Sequence, residues 1–225
     1  MLRTGTTRRS EIMGFMTLAC LVDVYGTILT CDFAPFRREL PALAGVEEAV
    51  WTDAYYRSAP PQEVGHLSRE EVYEIVLRTC GVRPRDGLVR RLVDLDRELL
   101  LANTTVFPDT LPFLELLRSR GITSVIVSNC SEHTRALLTS IGVTDAADAL
   151  VLSCEVGSAK PAPLIYRRAL AEAGVAAADA LFVDDQAAFC AGAEVLGIGA
   201  VRIVRKGPVP ASAVGSLLDV ADYLR

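Results

Sequence analysis

The 225-residue sequence predicts an α/β protein in which a doubly wound, Rossmann-like parallel sheet carries an inserted all-helical cap domain. Two observations predict the sheet: short apolar, β-branched runs recur along the chain, and helical segments separate them. A third observation predicts the insertion, because residues 32–104 contain helical patterns and no convincing strand. Right-handed crossovers between such strands place helices on both faces of the sheet.

Five apolar runs are the predicted strands. The first lies within LACLVDVYGTILT (18–30), and the others are TSVIVSN (123–129), ALVLS (149–153), ALFVDD (180–185) and AVRIV (200–204). The segments that follow most of them have helical patterns and end on a glycine, which is favourable just past a helix C-terminus. Four further helical segments in the insertion begin at APFRREL, VEEAVW, SREEVY and DGLVRR.

These patterns divide the chain into a core, a cap and a leader. Residues 17–31 and 105–225 form the predicted core, and residues 32–104 form the predicted cap. Residues 1–16 are interpreted as a loose leader. Its arginines precede an apolar run that continues into the first strand without a cleavage site. That run is too short to span a membrane, so no membrane association is predicted.

Composition argues against a nucleic-acid partner and favours a cytoplasmic protein. The net charge is -5, and no basic stripe indicates a nucleic-acid partner. The six cysteines are scattered without a CxxC pair, which favours a reduced, cytoplasmic protein. The bias towards alanine, arginine, valine and glycine is typical of a GC-rich bacterial genome.

Polar residues follow the carboxyl ends of the predicted strands: Asp23, Ser128, Asn129, Asp184 and Asp185. Lys160 follows the ALVLS strand after the loop CEVGSA. Each residue alone could serve as a helix cap or turn residue. Ligands of parallel sheets bind beyond the carboxyl ends of the strands, so together these residues predict one functional site.

The motifs DVYGT, VSN, AKP and VDD, in this order and spacing, resemble those of the haloacid dehalogenase-like (HAD) hydrolase superfamily. The resemblance extends from about residue 17 onward and includes a helical cap between the first and second motifs. The segment SCEVGSAKPAPLIY is similar to the third-motif region of the family's small-molecule phosphatases. The resemblance therefore implies a hydrolase.

Asp23 would be the nucleophile, because a covalent aspartyl intermediate divides one difficult displacement into two easier ones. Lys160 would neutralise Asp23 and the substrate anion as a point charge. Hydrogen bonds to the transferring oxygens would come from Thr27, Ser128 and the region of Asn129.

A metal site is predicted around the three aspartates of the first and fourth motifs. Crowded carboxylates need a counter-charge, and the hard oxygens of Asp23, Asp184 and Asp185 suit Mg²⁺. The resemblance implies that the main-chain carbonyl of Tyr25 is a further ligand. Gly26 permits the tight turn that would bring it there.

Tyr25 leaves the reaction type open. Most HAD phosphatases have an aspartate at this position, which acts as the general acid-base, whereas DVYGT resembles the metal-independent 2-haloacid dehalogenases. The fourth motif favours a phosphatase, because the position of the dehalogenases' water-activating aspartate is occupied by Phe189. We expect a Mg²⁺-dependent phosphatase of a small phosphorylated metabolite. The alternatives are a 2-haloacid dehalogenase and a catalytically impaired binding protein on the same fold.

Several further residues have two interpretations. Tyr55, Tyr56 and Arg57 of the cap could form a specificity surface, although packing of an amphipathic helix explains the aromatic residues equally well. We expect His133 to be solvated in the first turn of its helix and Trp51 to lie in the cap core.

Overall fold

The computed structural model describes residues 16–58 and 63–224, so most of the predicted leader lies outside the described part. The strands are β1 (Ala19–Val22), β2 (Leu29–Cys31), β3 (Thr104–Val106), β4 (Thr123–Ser128), β5 (Ala149–Leu152), β6 (Ala180–Asp184), β7 (Gly199–Ile203) and β8 (Ala213–Val214). The five predicted apolar runs correspond to β1, β4, β5, β6 and β7.

The helices alternate with the strands in the second half of the chain and are consecutive in the first. They are α1 (Ala34–Ala44), α2 (Glu48–Ser58), α3 (Arg69–Thr79), α4 (Asp86–Ala102), α5 (Thr110–Ser119), α6 (His133–Ser140), α7 (Val143–Ala146), α8 (Ser153–Val156), α9 (Pro163–Ala173) and α10 (Ala187–Glu194). Within the described part of the chain, no helix combines the length and the apolar character needed to cross a membrane.

The main sheet has six strands in the order β5-β4-β1-β6-β7-β8, and every neighbouring pair is parallel. Alternate residues of β1 belong to two separate apolar clusters: Cys20 and Val22 pack in one, Ala19 and Leu21 in the other. Because successive side chains of a strand point to opposite faces, both faces of the sheet are covered. The predicted α/β fold class is confirmed.

Helices α1 to α4 lie between β2 and β3 and have an apolar cluster of their own. Trp51 is 2% exposed in this cluster, as expected, and its ring stacks on Tyr73. The antiparallel ribbon of β2 and β3 connects this helical insertion to the sheet. The sequence did not predict the ribbon, because three-residue strands are too short for an alternating pattern. The proposed domain boundaries stay a prediction.

Candidate active site

The carboxyl edge of the sheet brings the predicted residues together. Asp23 follows β1, and Asp184 is the last residue of β6, the strand paired with β1. Ser128 ends β4 on the other side of β1, and Lys160 lies in the loop between α8 and α9. Asp23, Asp184, Ser128 and Lys160 are all buried.

Lys160 is the centre of this arrangement. Its Nζ donates to Asp23 Oδ1 at 2.5 Å, to Asp184 Oδ2 at 2.7 Å and to the carbonyl of Val127 at 3.2 Å. Burial lowers the pKa of Lys160, but the charges of Asp23 and Asp184 outweigh it and raise that pKa above its usual value. Lys160 is therefore a permanent positive charge beside Asp23.

Three of the four predicted metal ligands, the aspartates, form a compact acidic cluster, and ligation by the Tyr25 carbonyl stays a prediction. Asp23, Asp184 and Asp185 each offer an oxygen, and these oxygens lie within 4.8 Å of one another. Burial and the neighbouring charge of Asp23 raise the pKa of Asp184 to about 7. The same two causes raise the pKa of Asp185. One lysine does not supply enough positive charge for three ionised carboxylates.

The cluster has the properties of a cation site. Among the described residues, Asp23 Oδ2 and Asp185 Oδ1 are buried oxygens without a hydrogen-bond partner. Buried polar atoms normally have a partner, and two such oxygens in one acidic cluster fit a divalent cation with oxygen ligands. The residues present therefore suit Mg²⁺.

Gly26 brings the first motif against the fourth. Its φ angle is +84°, and an added Cβ would lie 2.5 Å from Asp185 Oδ2. Any other residue would clash with the carboxylate and would strain the backbone. The glycine therefore permits the close contact between the loop after β1 and the acidic cluster.

Asn129 of the second motif contacts the loop that carries Lys160. The Asn129 side chain accepts a hydrogen bond from the Lys160 main-chain N–H at 2.7 Å and donates one to the Lys160 carbonyl at 2.9 Å. Asn129 thus fixes the loop that carries Lys160. Binding of transferring oxygens by Thr27, Ser128 and Asn129 stays a prediction, but Thr27 Oγ1 is buried and has no partner among the described residues.

Tyr25 lies at the boundary between the sheet and the helical insertion. Its hydroxyl is 3.1 Å from Thr134 Oγ1 on α6. Burial raises the pKa of Tyr25, so the phenol stays neutral over the physiological pH range. A neutral phenol with a raised pKa is a weak general acid-base.

The expectation of a solvated His133 is wrong. Its side chain is only 14% exposed, and Nε2 lies 3.7 Å from Asp96 Oδ2 on α4. The N-terminus of α6 faces the helical insertion instead of solvent, and the adjacent Glu132 accepts a hydrogen bond from the main-chain N–H of Arg69. The sequence could not reveal this contact between the start of α6 and the helical insertion, because the contact joins residues from separate parts of the chain.

Asp96 and Arg69 form a buried ion pair that sequence reasoning missed. Arg69 Nη2 is 2.8 Å from Asp96 Oδ2, and the hydroxyl of Tyr73 donates to Asp96 Oδ1 at 2.9 Å. One signal was present in the sequence. Asp96 lies on the same helical face as the buried Leu92 and Leu99, where a charged residue needs a buried partner.

A cavity of about 370 Å³ lies over Tyr25 between the helical insertion and the sheet. Most of its wall is apolar, and its aromatic residues are Tyr25, Phe33, Phe36, Trp51, Tyr55 and Tyr56. Two of the three predicted specificity residues, Tyr55 and Tyr56, thus line the cavity. Arg57 is not among the lining residues and instead makes an exposed ion pair with Asp53.

Arg205 and Asp109 hold the loop that follows β1. The Arg205 guanidinium donates to the carbonyl of Thr27 through Nε at 3.0 Å, and it makes a two-point ion pair with Asp109 at 2.7 and 3.0 Å. Asp109 also accepts hydrogen bonds from the Ser216 hydroxyl and the main-chain N–H of Leu217. Sequence reasoning did not identify either residue.

The chain is similar to known hydrolases in sequence and in fold. The family profile of haloacid dehalogenase-like hydrolases matches residues 17–197. A phosphatase of Mycobacterium tuberculosis is 34% identical over 179 residues, which cover 75% of this chain and 76% of that protein. An (S)-2-haloacid dehalogenase of a Pseudomonas strain is 27% identical over 196 residues, covering 83% and 84% of the two chains. The structure of a HAD phosphatase from Thermococcus onnurineus has the same fold, with a TM-score of 0.69, 23% identity and coverage of 92% and 97%.

Proposed function

Because the chain belongs to the haloacid dehalogenase-like hydrolases, we propose that it is a Mg²⁺-dependent phosphatase of a small phosphorylated metabolite. One observation carries the proposal. Asp23, Asp184 and the partly buried Asp185 form an acidic cluster in which two carboxylate oxygens have no partner in the described part of the chain. A cation that offsets these charges serves phosphoryl transfer, whereas a metal-free dehalogenase has no use for such a cluster.

Asp23 attacks phosphorus in the proposed reaction and displaces the leaving-group oxygen. The resulting aspartyl phosphate is hydrolysed by water, which restores the carboxylate. Lys160 holds Asp23 in place and offsets the charge of the substrate, and the unpartnered Thr27 hydroxyl donates a hydrogen bond to a transferring oxygen. When held by Asp23, Asp184, Asp185 and the carbonyl of Tyr25, Mg²⁺ supplies further positive charge to the phosphate.

A metal-independent 2-haloacid dehalogenase is the second candidate. Tyr25 and the similarity to the Pseudomonas dehalogenase favour it. The fourth motif opposes it, because Phe189 occupies the position where the resemblance calls for a water-activating carboxylate. The ring centroid of Phe189 lies 5.1 Å from Lys160 Nζ, so an apolar ring covers that side of the lysine.

Calorimetry with Mg²⁺ and an activity screen with and without EDTA test the proposal. Asp185→Asn is the sharper variant, because Asp184→Asn also removes a partner of Lys160. Changes in the outer shell of a metal site cost about 10–100-fold in affinity, so loss of a direct ligand should weaken Mg²⁺ binding at least tenfold. The exposed Asp145 provides the matched control, Asp145→Asn.

The outcomes separate the three candidates. Phosphatase activity that EDTA abolishes and Mg²⁺ restores supports the proposal. Turnover of 2-chloropropionate in EDTA identifies a dehalogenase. Phosphate binding without turnover of either substrate class identifies a binding protein. Mg²⁺ affinity that is absent, or equal in wild type and Asp185→Asn, contradicts the metal site.

A further inference from the structure

The residues that line the cavity over Tyr25 indicate which leaving group the substrate has. Its aromatic rings form connected groups: the ring centroids of Tyr25 and Phe33 are 6.4 Å apart, those of Phe33 and Phe36 are 5.3 Å apart, and those of Tyr55 and Tyr56 are 6.0 Å apart. Phe33 and Tyr56 are 47% and 64% exposed. Exposed rings around one cavity provide surface for a flat, apolar ligand.

The charges of the cavity do not call for a second ionic group on the substrate. Arg69 is the buried cation of the wall, and its ion pair with Asp96 neutralises it. The other ionic side chains of the wall, Arg37 and Glu63, are exposed and opposite in sign. A leaving group with its own carboxylate or phosphate would find no buried unbalanced charge among the described residues of this wall.

Among the described residues of the cavity wall, Tyr25 and Asp96 are poorly suited to protonate the leaving group. The Tyr25 hydroxyl is hydrogen-bonded to Thr134, and a phenol is a weak general acid-base at neutral pH. Asp96 is held by Arg69 and Tyr73, which leaves the exposed Glu63 as the remaining carboxylate of the cavity wall. Substrates whose leaving group departs as a stable anion need no acid, and phenols, with a pKa of about 10, form such anions far more readily than alcohols do.

We propose that this enzyme hydrolyses aryl phosphates, with the aromatic leaving group bound in the cavity formed by Tyr25, Phe33, Phe36, Trp51, Tyr55 and Tyr56. The inference rests on the proposed phosphatase activity and adds the substrate class. The volume of about 370 Å³ accommodates a bicyclic aromatic group, and a three-carbon haloacid would leave most of it empty.

The reaction balances without an acid from the protein. Attack of the Asp23 carboxylate forms an oxygen–phosphorus bond, and the bond from phosphorus to the aryl oxygen breaks with its electron pair on that oxygen. Water then attacks the aspartyl phosphate and releases phosphate and the Asp23 carboxylate. The aryl oxide takes up a proton from this water, so the products are a phenol and inorganic phosphate.

Four substrates test ring binding and leaving-group acidity separately, with Mg²⁺ present. They are 2-naphthyl phosphate, 2-naphthylmethyl phosphate, acetyl phosphate and glycerol phosphate. We expect the highest kcat/KM for 2-naphthyl phosphate and a high KM for acetyl phosphate. We expect 2-naphthylmethyl phosphate to bind competitively but to turn over slowly, because its alcohol is a poor leaving group.

Two variants test the cavity itself. Phe33→Ala and Tyr56→Ala remove exposed rings, so both proteins should fold. Each should lower the ratio of kcat/KM for 2-naphthyl phosphate to that for acetyl phosphate by about tenfold, the scale of one lost apolar contact in a pocket. Tyr223→Ala, which removes a partly exposed ring outside the cavity, is the control and should keep the wild-type ratio.

The results distinguish failure of this inference from failure of the phosphatase proposal. Hydrolysis of acetyl phosphate with no preference for the naphthyl ester over glycerol phosphate overturns the inference and leaves the phosphatase activity standing. Equal rates for 2-naphthyl and 2-naphthylmethyl phosphate overturn the argument that departure is unassisted. An unchanged ratio in both ring variants excludes the cavity as the binding site. No hydrolysis of any of the four compounds refutes both proposals.

Discussion

At the scale of single residues, Lys160 and Tyr25 determine what the site can do. Lys160 contacts the proposed nucleophile and one proposed metal ligand at once, so its charge serves both. Tyr25 follows the nucleophile by two positions but directs its hydroxyl to Thr134. In the proposed mechanism the nucleophile and its counter-charge are thus in place, and protonation of the leaving group is the weak step.

Substitution of Tyr25 tests this view. Tyr25→Asp should raise activity on alkyl phosphates, because a carboxylate near Asp23 can act as a general acid-base, an effect typically worth about 10²–10⁴-fold. Aryl phosphates should gain less, because their departure needs little protonation and the cavity loses one ring. Rates of both proteins on alkyl phosphate, aryl phosphate and 2-chloropropionate provide the measurement.

Phosphatase activity that disappears in a folded Tyr25→Asp protein would show that Tyr25 has a positive catalytic role. Tyr25→Phe is the matched control, because it removes only the hydroxyl bond to Thr134 and adds no acid. It should therefore show no gain on alkyl phosphates.

At the scale of elements, the contact between α6 and α4 joins the sheet to the helical insertion. His133 and Glu132 at the start of α6 face Asp96 on α4 and the main chain of Arg69 on α3. A second contact lies nearby, where Gly65 packs so closely that an added Cβ would lie 2.0 Å from the carbonyl oxygen of Cys154. These contacts hold the helical insertion against the part of the chain that follows β4.

The titration of His133 should be visible in the pH dependence of stability. Burial lowers the pKa of His133 below its usual value of 6.5; the charge of Arg69 also lowers it, and Asp96 and Glu132 oppose this shift. As the pH falls, His133 therefore takes up a proton at a higher pH in the unfolded chain than in the folded protein. Stability from the neutral histidine is full above pH 6.5 and is lost as the pH falls through the lowered pKa.

Denaturant unfolding from about pH 7.5 to about pH 5.5 measures this effect. His133→Gln should lose less stability over this range than wild type. His66→Gln is the matched control, because His66 is exposed, and it should follow the wild-type curve. Parallel curves for wild type and His133→Gln would contradict the assignment of His133 as a buried neutral residue.

At the scale of the whole molecule, Arg205 connects the segment after β7 to the loop that follows β1. It follows β7 and bonds the carbonyl of Thr27, which lies 178 residues earlier in the sequence. Its guanidinium also stacks over Phe107 at 4.2 Å from the ring centroid. The position of Thr27 therefore depends on a residue far outside the first motif.

Arg205→Lys should destabilise the protein and slow the reaction. Lysine retains the charge but cannot bond Asp109 and the Thr27 carbonyl through a planar fork. A buried polar group left without its partner costs about 1–3 kcal/mol, and a shifted Thr27 should lower kcat. Arg167→Lys replaces an exposed arginine and is the control. A variant with reduced stability but wild-type kcat would show that Arg205 supports only the fold.

The sequence by itself determined the order of five strands of the sheet and of the helices between them, the inserted helical region and the ends of strands at which the polar residues lie. These features are local, because apolar periodicity and turn residues act over a few positions. The convergence of Asp23, Lys160 and Asp184 could be predicted as well, since the carboxyl ends of parallel strands share one edge of a sheet.

Only the tertiary structure decided the remaining features of the site. The Arg69–Asp96 pair, the anchor from Arg205 to Thr27, the burial of His133 and the aromatic cavity all depend on side chains that meet across separate elements. No periodic pattern in the sequence predicts such contacts, because the relative positions of packed elements depend on the shapes of many side chains at once. The proposed substrate preference therefore rests on geometry that the sequence alone does not display.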